Sequence, residues 1–179
     1  MFASFVQGPL VRVIPLGLIL LALQRTIFVE IQVGGVIIQL VMAMAAAAGV
    51  AGGSERGAIV GFTLGVMFDL AEGTPLGSTA IAMTIAGAVG GLLALIAADP
   101  HWWLEAMFTA LGTAAGVAMI PLVRAFIGES EPFQTQLGVV VGVVAIAAAV
   151  MSPVLVPLGR WCLRMRRAEW KQPVGEANP

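Results

Sequence analysis

Six apolar runs, each close to the length of a membrane-crossing helix, leave this chain few ways to fold. They lie near 10–28, 34–51, 57–72, 77–97, 104–127 and 137–159. A bilayer core takes about 20 apolar residues per helix, with a range of ~17–25. Between the runs stand Gly34-Gly35, Gly52-Gly53-Ser54-Glu55-Arg56, Gly73-Thr74-Pro75, Asp99-Pro100-His101 and Gly128-Glu129-Ser130-Glu131-Pro132. Inside lipid every backbone polar group needs a partner within the protein, and nothing here alternates like a barrel strand. The expected class is therefore an all-α membrane protein, with six transmembrane helices in a compact bundle.

Composition supports this. The chain is 59% hydrophobic and 11% charged, with a mean hydropathy of +0.99. A soluble domain is about a quarter charged. The spans consume nearly all of 179 residues, which leaves no room for a soluble catalytic domain. Residues 1–171 read as one domain ending in a short basic tail, and 172–179 as disordered. The first apolar run lacks a small-x-small cleavage site and is read as a retained helix. Cys162 is the single cysteine. It reads as a small apolar residue near a helix end, with lipidation as the alternative.

Lysine and arginine placement sets the expected orientation. With the N-terminus inside, Arg12, Arg56, Arg160, Arg164, Arg166, Arg167 and Lys171 fall on the cytoplasmic side, against Arg25 and Arg124 outside. Both termini are then cytoplasmic, in the bacterial inner membrane. Glu30, Glu72, Glu129 and Glu131 face outward, and Trp102 and Trp103 suit the headgroup belt. After the sixth run, Arg160, Arg164, Arg167 and Lys171 recur at helical steps opposite Leu158, Trp161, Cys162 and Met165. This basic face suits the inner leaflet. It reads as a charge cluster that fixes topology, as a protein docking site or as a lipid-recognition surface.

Asp69 is the residue that most demands a reason, because an ionisable group near the centre of a span costs roughly 2.5 kcal/mol or more. A carboxylate at a helix C-terminus also opposes the helix dipole. A cation is the expected partner, and Arg25 and Arg124 are the two on the same side. Three readings stay open: a partly hydrated residue at the interface, a buried pair that fixes the bundle, or a proton- or ion-coupling group. Gly73, Pro75 and Gly77 read as a tight turn reversing the chain after it.

Glycines at 49, 53, 57, 61 and 65 keep a four-residue spacing, and Gly87/Gly91, Gly112/Gly116 and Gly138/Gly142 form further small-xxx-small pairs. Such stripes let helices approach closely in lipid, within the bundle or against a partner helix. Pro15, Pro121, Pro153 and Pro157 each remove a backbone donor, which implies kinks or, as in transporters, broken helices. His101, the lone histidine, reads as interfacial. No phosphate loop, HExxH or GxSxG pattern occurs. Ser78 and Ser152 have no membrane histidine to activate them, and Asp99 falls on the opposite side from Asp69. Intramembrane proteolysis is thereby excluded on chemistry. No catalytic residue, cofactor, metal or nucleic-acid partner is expected.

Gly61, Phe62, Gly65, Asp69, Gly73, Pro75, Leu76, Gly77 and Ala80, in that order and spacing, resemble the signature region of the MreD family. These are small integral membrane components of the bacterial rod-shape machinery. The second run, Gly34-Gly35-Val36-Ile37-Ile38-Gln39-Leu40, departs from relatives that enter with a proline and a leucine-rich run. The resemblance implies a six-helix fold similar to the substrate-binding subunits of energy-coupling-factor transporters. It also implies a non-enzymatic scaffold that partners an MreC-like single-span protein. Through that complex the chain would support a SEDS glycosyltransferase and a class B penicillin-binding transpeptidase in lateral peptidoglycan synthesis. The alternative class is a substrate-capture subunit for a small, vitamin-like solute, with a pocket near the outer face.

Overall fold

The structure, a computed structural model, describes residues 9–28, 32–33, 35–96, 101–128 and 136–163. Six α-helices dominate it: α1 (Pro9–Leu23), α2 (Leu40–Gly52), α3 (Ser54–Glu72), α4 (Ser78–Ala94), α5 (Trp102–Ile127) and α6 (Leu137–Leu163). A wider π-helical turn, Gln24–Phe28, continues α1. The antiparallel strands β1 (Gln32–Val33) and β2 (Val36–Ile37) then lead into α2, with Gln32 opposite Ile37 and Val33 opposite Val36.

α2 is the centre of the molecule. Every residue from Leu40 to Val50 is buried, as expected of a helix that is apolar on all sides. Helices α3, α4, α5 and α6 pack around it, and α1 lies against α2, α3 and α6. Alanine and glycine dominate α2 because five neighbours must reach it; a helix with larger side chains would hold them further off.

The number of helices agrees with the sequence reading, but their lengths do not all agree. Among the described residues, three segments are long and apolar enough to cross a membrane: Leu10–Ile27, Trp102–Ile127 and Leu137–Leu163. They mark the chain as a membrane protein. The second apolar run was expected to be helical from residue 34. Val36–Ile37 instead form β2, leaving α2 with 13 residues, or about 20 Å at 1.5 Å per residue. β-branched Val36 and Ile37 suit the strand they form here. α3 has the length of a span, but carries Glu55 and Arg56 at one end and Asp69 and Glu72 at the other.

The prolines leave their helices continuous. Pro15, Pro121, Pro153 and Pro157 all lie inside unbroken helices. Cys162 is buried in the core, which makes it a packing residue. Glu30, Asp99, Glu129, Glu131, Arg164, Arg166, Arg167, Lys171 and the tail 172–179 lie outside the described residues.

Candidate functional site: the α3–α4 knuckle

α3 and α4 approach so closely that side chains are excluded from the seam. A β-carbon added at Gly61 would fall on the Met83 carbonyl, one at Gly65 on the Ala80 backbone, and one at Gly57 on Gly49 and the Gly87 carbonyl. A β-carbon at Gly49 would fall on the Gly87 carbonyl, and one at Gly87 on the Gly57 carbonyl. The four-residue spacing is therefore a packing device within the bundle, with one exception. Gly53 joins α2 to α3 alone, at φ 89°, where no neighbour crowds it and the backbone conformation itself calls for glycine. Gly91 packs against Gly53 and Ser54, while Gly112 and Gly116 pack against α4 at Ala86. Gly138 and Gly142 have open space instead.

At the end of this seam sits Asp69, fully buried. Its partners are all in the turn and first residues of α4. The Thr74 hydroxyl donates to Oδ1 at 2.8 Å and the Gly77 amide to Oδ2 at 2.8 Å. The Thr79 amide reaches Oδ1 at 3.1 Å, the Ala80 amide Oδ2 at 3.3 Å, and the Ser78 hydroxyl Oδ1 at 3.4 Å. Gly77 is the N-cap of α4 and has no side chain to cap with. Asp69 caps α4 from the preceding helix, satisfying amides that every helix N-terminus leaves unpaired.

The expected Asp69–arginine pair is thus replaced. Arg25 grips Glu72, with Nε to Oε1 and Nη2 to Oε2 both at 2.8 Å, and its Nη2 also donates to the Ala71 carbonyl at 3.0 Å. Asp69 needs no guanidinium, because a helix N-terminus offers both donors and the positive end of a dipole. The unfavourable end of α3 is offset by the favourable end of α4. The turn itself matches expectation: Gly73 caps α3 at φ 69° and Gly77 stands at φ 98°. The rest of the signature set joins the same unit, with Ala80 in the seam, and Phe62, Pro75 and Leu76 exposed.

Beside the knuckle lies a cavity of about 280 Å³, between the end of α1, the start of α2, the α3–α4 turn and the end of α5. Glu72, Thr74, Ser78 and Arg124 line it, which places Arg124 near the knuckle. Gln24, which the sequence reading missed, reaches the same cavity.

The opposite end of the bundle holds a second group of polar contacts. Arg160, assigned to a free basic face, pairs with the buried carboxylate of Glu105. Arg12 stands over the Trp161 ring at 5.5 Å and donates to its carbonyl at 3.3 Å, tying α1 to α6. Trp161, read as part of the apolar face opposite the basic one, is exposed. Trp102, Trp103 and His101 are exposed at this end, as a headgroup belt requires. Among the described residues no group of three or more histidine, cysteine or acidic side chains is placed to hold a metal. No family model, curated protein or solved structure matches this chain.

Proposed function

We propose that the chain is a non-enzymatic membrane scaffold of a cell-shape (elongation) complex, partnering an MreC-like single-span protein in lateral peptidoglycan synthesis. The supporting observation is that the residues resembling the MreD signature form one structural unit. Gly61, Gly65 and Ala80 make the seam, Asp69 caps α4, and Gly73 and Gly77 turn the chain. In this unit the buried carboxylate is consumed by structural bonds, which suits a scaffold better than a catalyst. Pro75 and Leu76 stand exposed at its tip and Phe62 on its flank, where a partner helix can meet them.

In this reading all six helices cross the cytoplasmic membrane with both termini inside, in a fold like that of energy-coupling-factor substrate-binding subunits. The hairpin before α2 makes up the depth that a 13-residue helix lacks. Irregular backbone is tolerated at membrane depth where protein covers it, and Val36 is buried. α3 keeps an uncharged stretch from Gly57 to Phe68 between its charged ends. Replacing Asp69 by Ala should reduce co-purification of the single-span partner; normal expression with unchanged co-purification contradicts the proposal. The competing reading, a substrate-capture subunit, draws on the polar-lined cavity beside the knuckle.

A further inference from the structure

The end of α1 is fastened to the bundle differently from its body. Val13, Leu20 and Leu21 are buried and anchor the helix. A β-carbon added at Gly17 would meet the side chains of Leu64 and Met67, whereas the α3–α4 seam is backbone on backbone. From Gln24 the chain widens into the π-helical turn, a conformation frequent at functional positions. Two consecutive side chains there reach two different elements. The Gln24 side-chain oxygen accepts the Val41 amide at 2.9 Å and so caps α2, whose own N-cap residue, Gln39, makes no side-chain capping bond. Arg25 holds Glu72 and the Ala71 carbonyl at the end of α3.

These bonds close one side of the cavity beside the knuckle. Gln24 and Glu72 both line it, together with Thr74, Ser78 and Met83. The Arg25 side chain is 52% exposed and that of Glu72 33%. Water and salt compete for a pair so placed, which makes it weak and readily broken. Thr26 and Ile27, the next residues, are exposed, so the turn gains little anchorage from burial beyond Gln24. Segments held by few buried contacts and by exposed polar bonds are the first to open.

We propose that the π-helical turn Gln24–Phe28 is a lid over this cavity, latched to α3 by the Arg25–Glu72 pair and hinged where α1 gives way to the turn. Release of the pair frees the turn and opens the cavity between Gln24 and Glu72, while Val13, Leu20 and Leu21 keep α1 in place. The lid goes beyond the scaffold reading and does not depend on it, since it rests on the contacts of α1.

Met83 is 1% exposed and lines the cavity, so a cysteine there reports opening. The full chain carrying Cys162→Ser and Met83→Cys is labelled with N-ethylmaleimide in zwitterionic nanodiscs. The reagent is uncharged, so altering the charge of the pair leaves its local concentration alone. Arg25→Gln and Glu72→Gln should each raise the labelling rate at least fivefold. The exchanged pair, Arg25→Glu with Glu72→Arg, should bring it back to within twofold of the starting rate. Native Cys162, buried at the far end, is the control for general loosening. In chains that keep it and lack Met83→Cys, its labelling should be unchanged by the same substitutions. An unchanged Met83→Cys rate in both single variants overturns the proposal. So does an exchanged pair that labels as fast as the single variants, or an equal rise at Cys162.

Discussion

Asp69 shows how a charged side chain can be held inside an apolar bundle without an opposite charge. Hydrogen bonds to charged groups contribute roughly 1.5–3 kcal/mol each, and a helix N-terminus adds its dipole. Asp69→Asn keeps the shape but turns one oxygen into an NH2 group facing backbone donors. It should destabilise the protein by about 2–4 kcal/mol, whereas Thr74→Val, which removes one bond, should cost ~1 kcal/mol. Equilibrium unfolding in mixed micelles checks the order; equal losses would contradict it. The sequence revealed that Asp69 needs a partner but pointed to arginine, because hydropathy treats amides as silent. The overlooked signal was local: a glycine N-cap at Gly77 leaves α4 in need of an external cap, and Asp69 is eight residues away.

At the scale of elements, glycine spacing was legible where the helix continues and misleading where it stops. Gly57, Gly61 and Gly65 form one stripe along α3, but Gly53 is a hinge between helices. Periodicity alone cannot separate the two, since both preserve the count. Gly61→Ala and Gly87→Ala press a methyl onto backbone, which cannot move aside as a flexible side chain can. Each should lower stability by about 1–3 kcal/mol, the usual cost of overpacking. Gly142→Ala on α6 meets open space and should stay within about 0.5 kcal/mol. Thermal unfolding of the three variants separates the classes; a silent Gly61→Ala would refute the close seam. The short α2 was not legible, because 36–39 is apolar enough for either a strand or a helix.

For the whole molecule, the bundle places Gly53, His101 and Trp161 at one end and Gly35, Gly73 and Gly128 at the other. With Cys162 replaced by Ser, single cysteines at Gly53 and His101 should label only from the cytoplasmic side. Those at Gly73 and Gly128 should label only from outside. Labelling of Gly53 and Gly73 from the same side would remove α3 as a span. Arginine placement is what the expected orientation rests on, while the packing order around α2 was not legible, because nothing in a run of alanines says which neighbours will surround it.

The scaffold reading is tested most directly by purifying the full chain from its native host in mild detergent and identifying what accompanies it by mass spectrometry. The account predicts an MreC-like single-span protein together with wall-synthesis enzymes, in amounts that fall for Asp69→Ala. Recovery of an ATPase module in their place would contradict it and identify the chain as a transporter subunit.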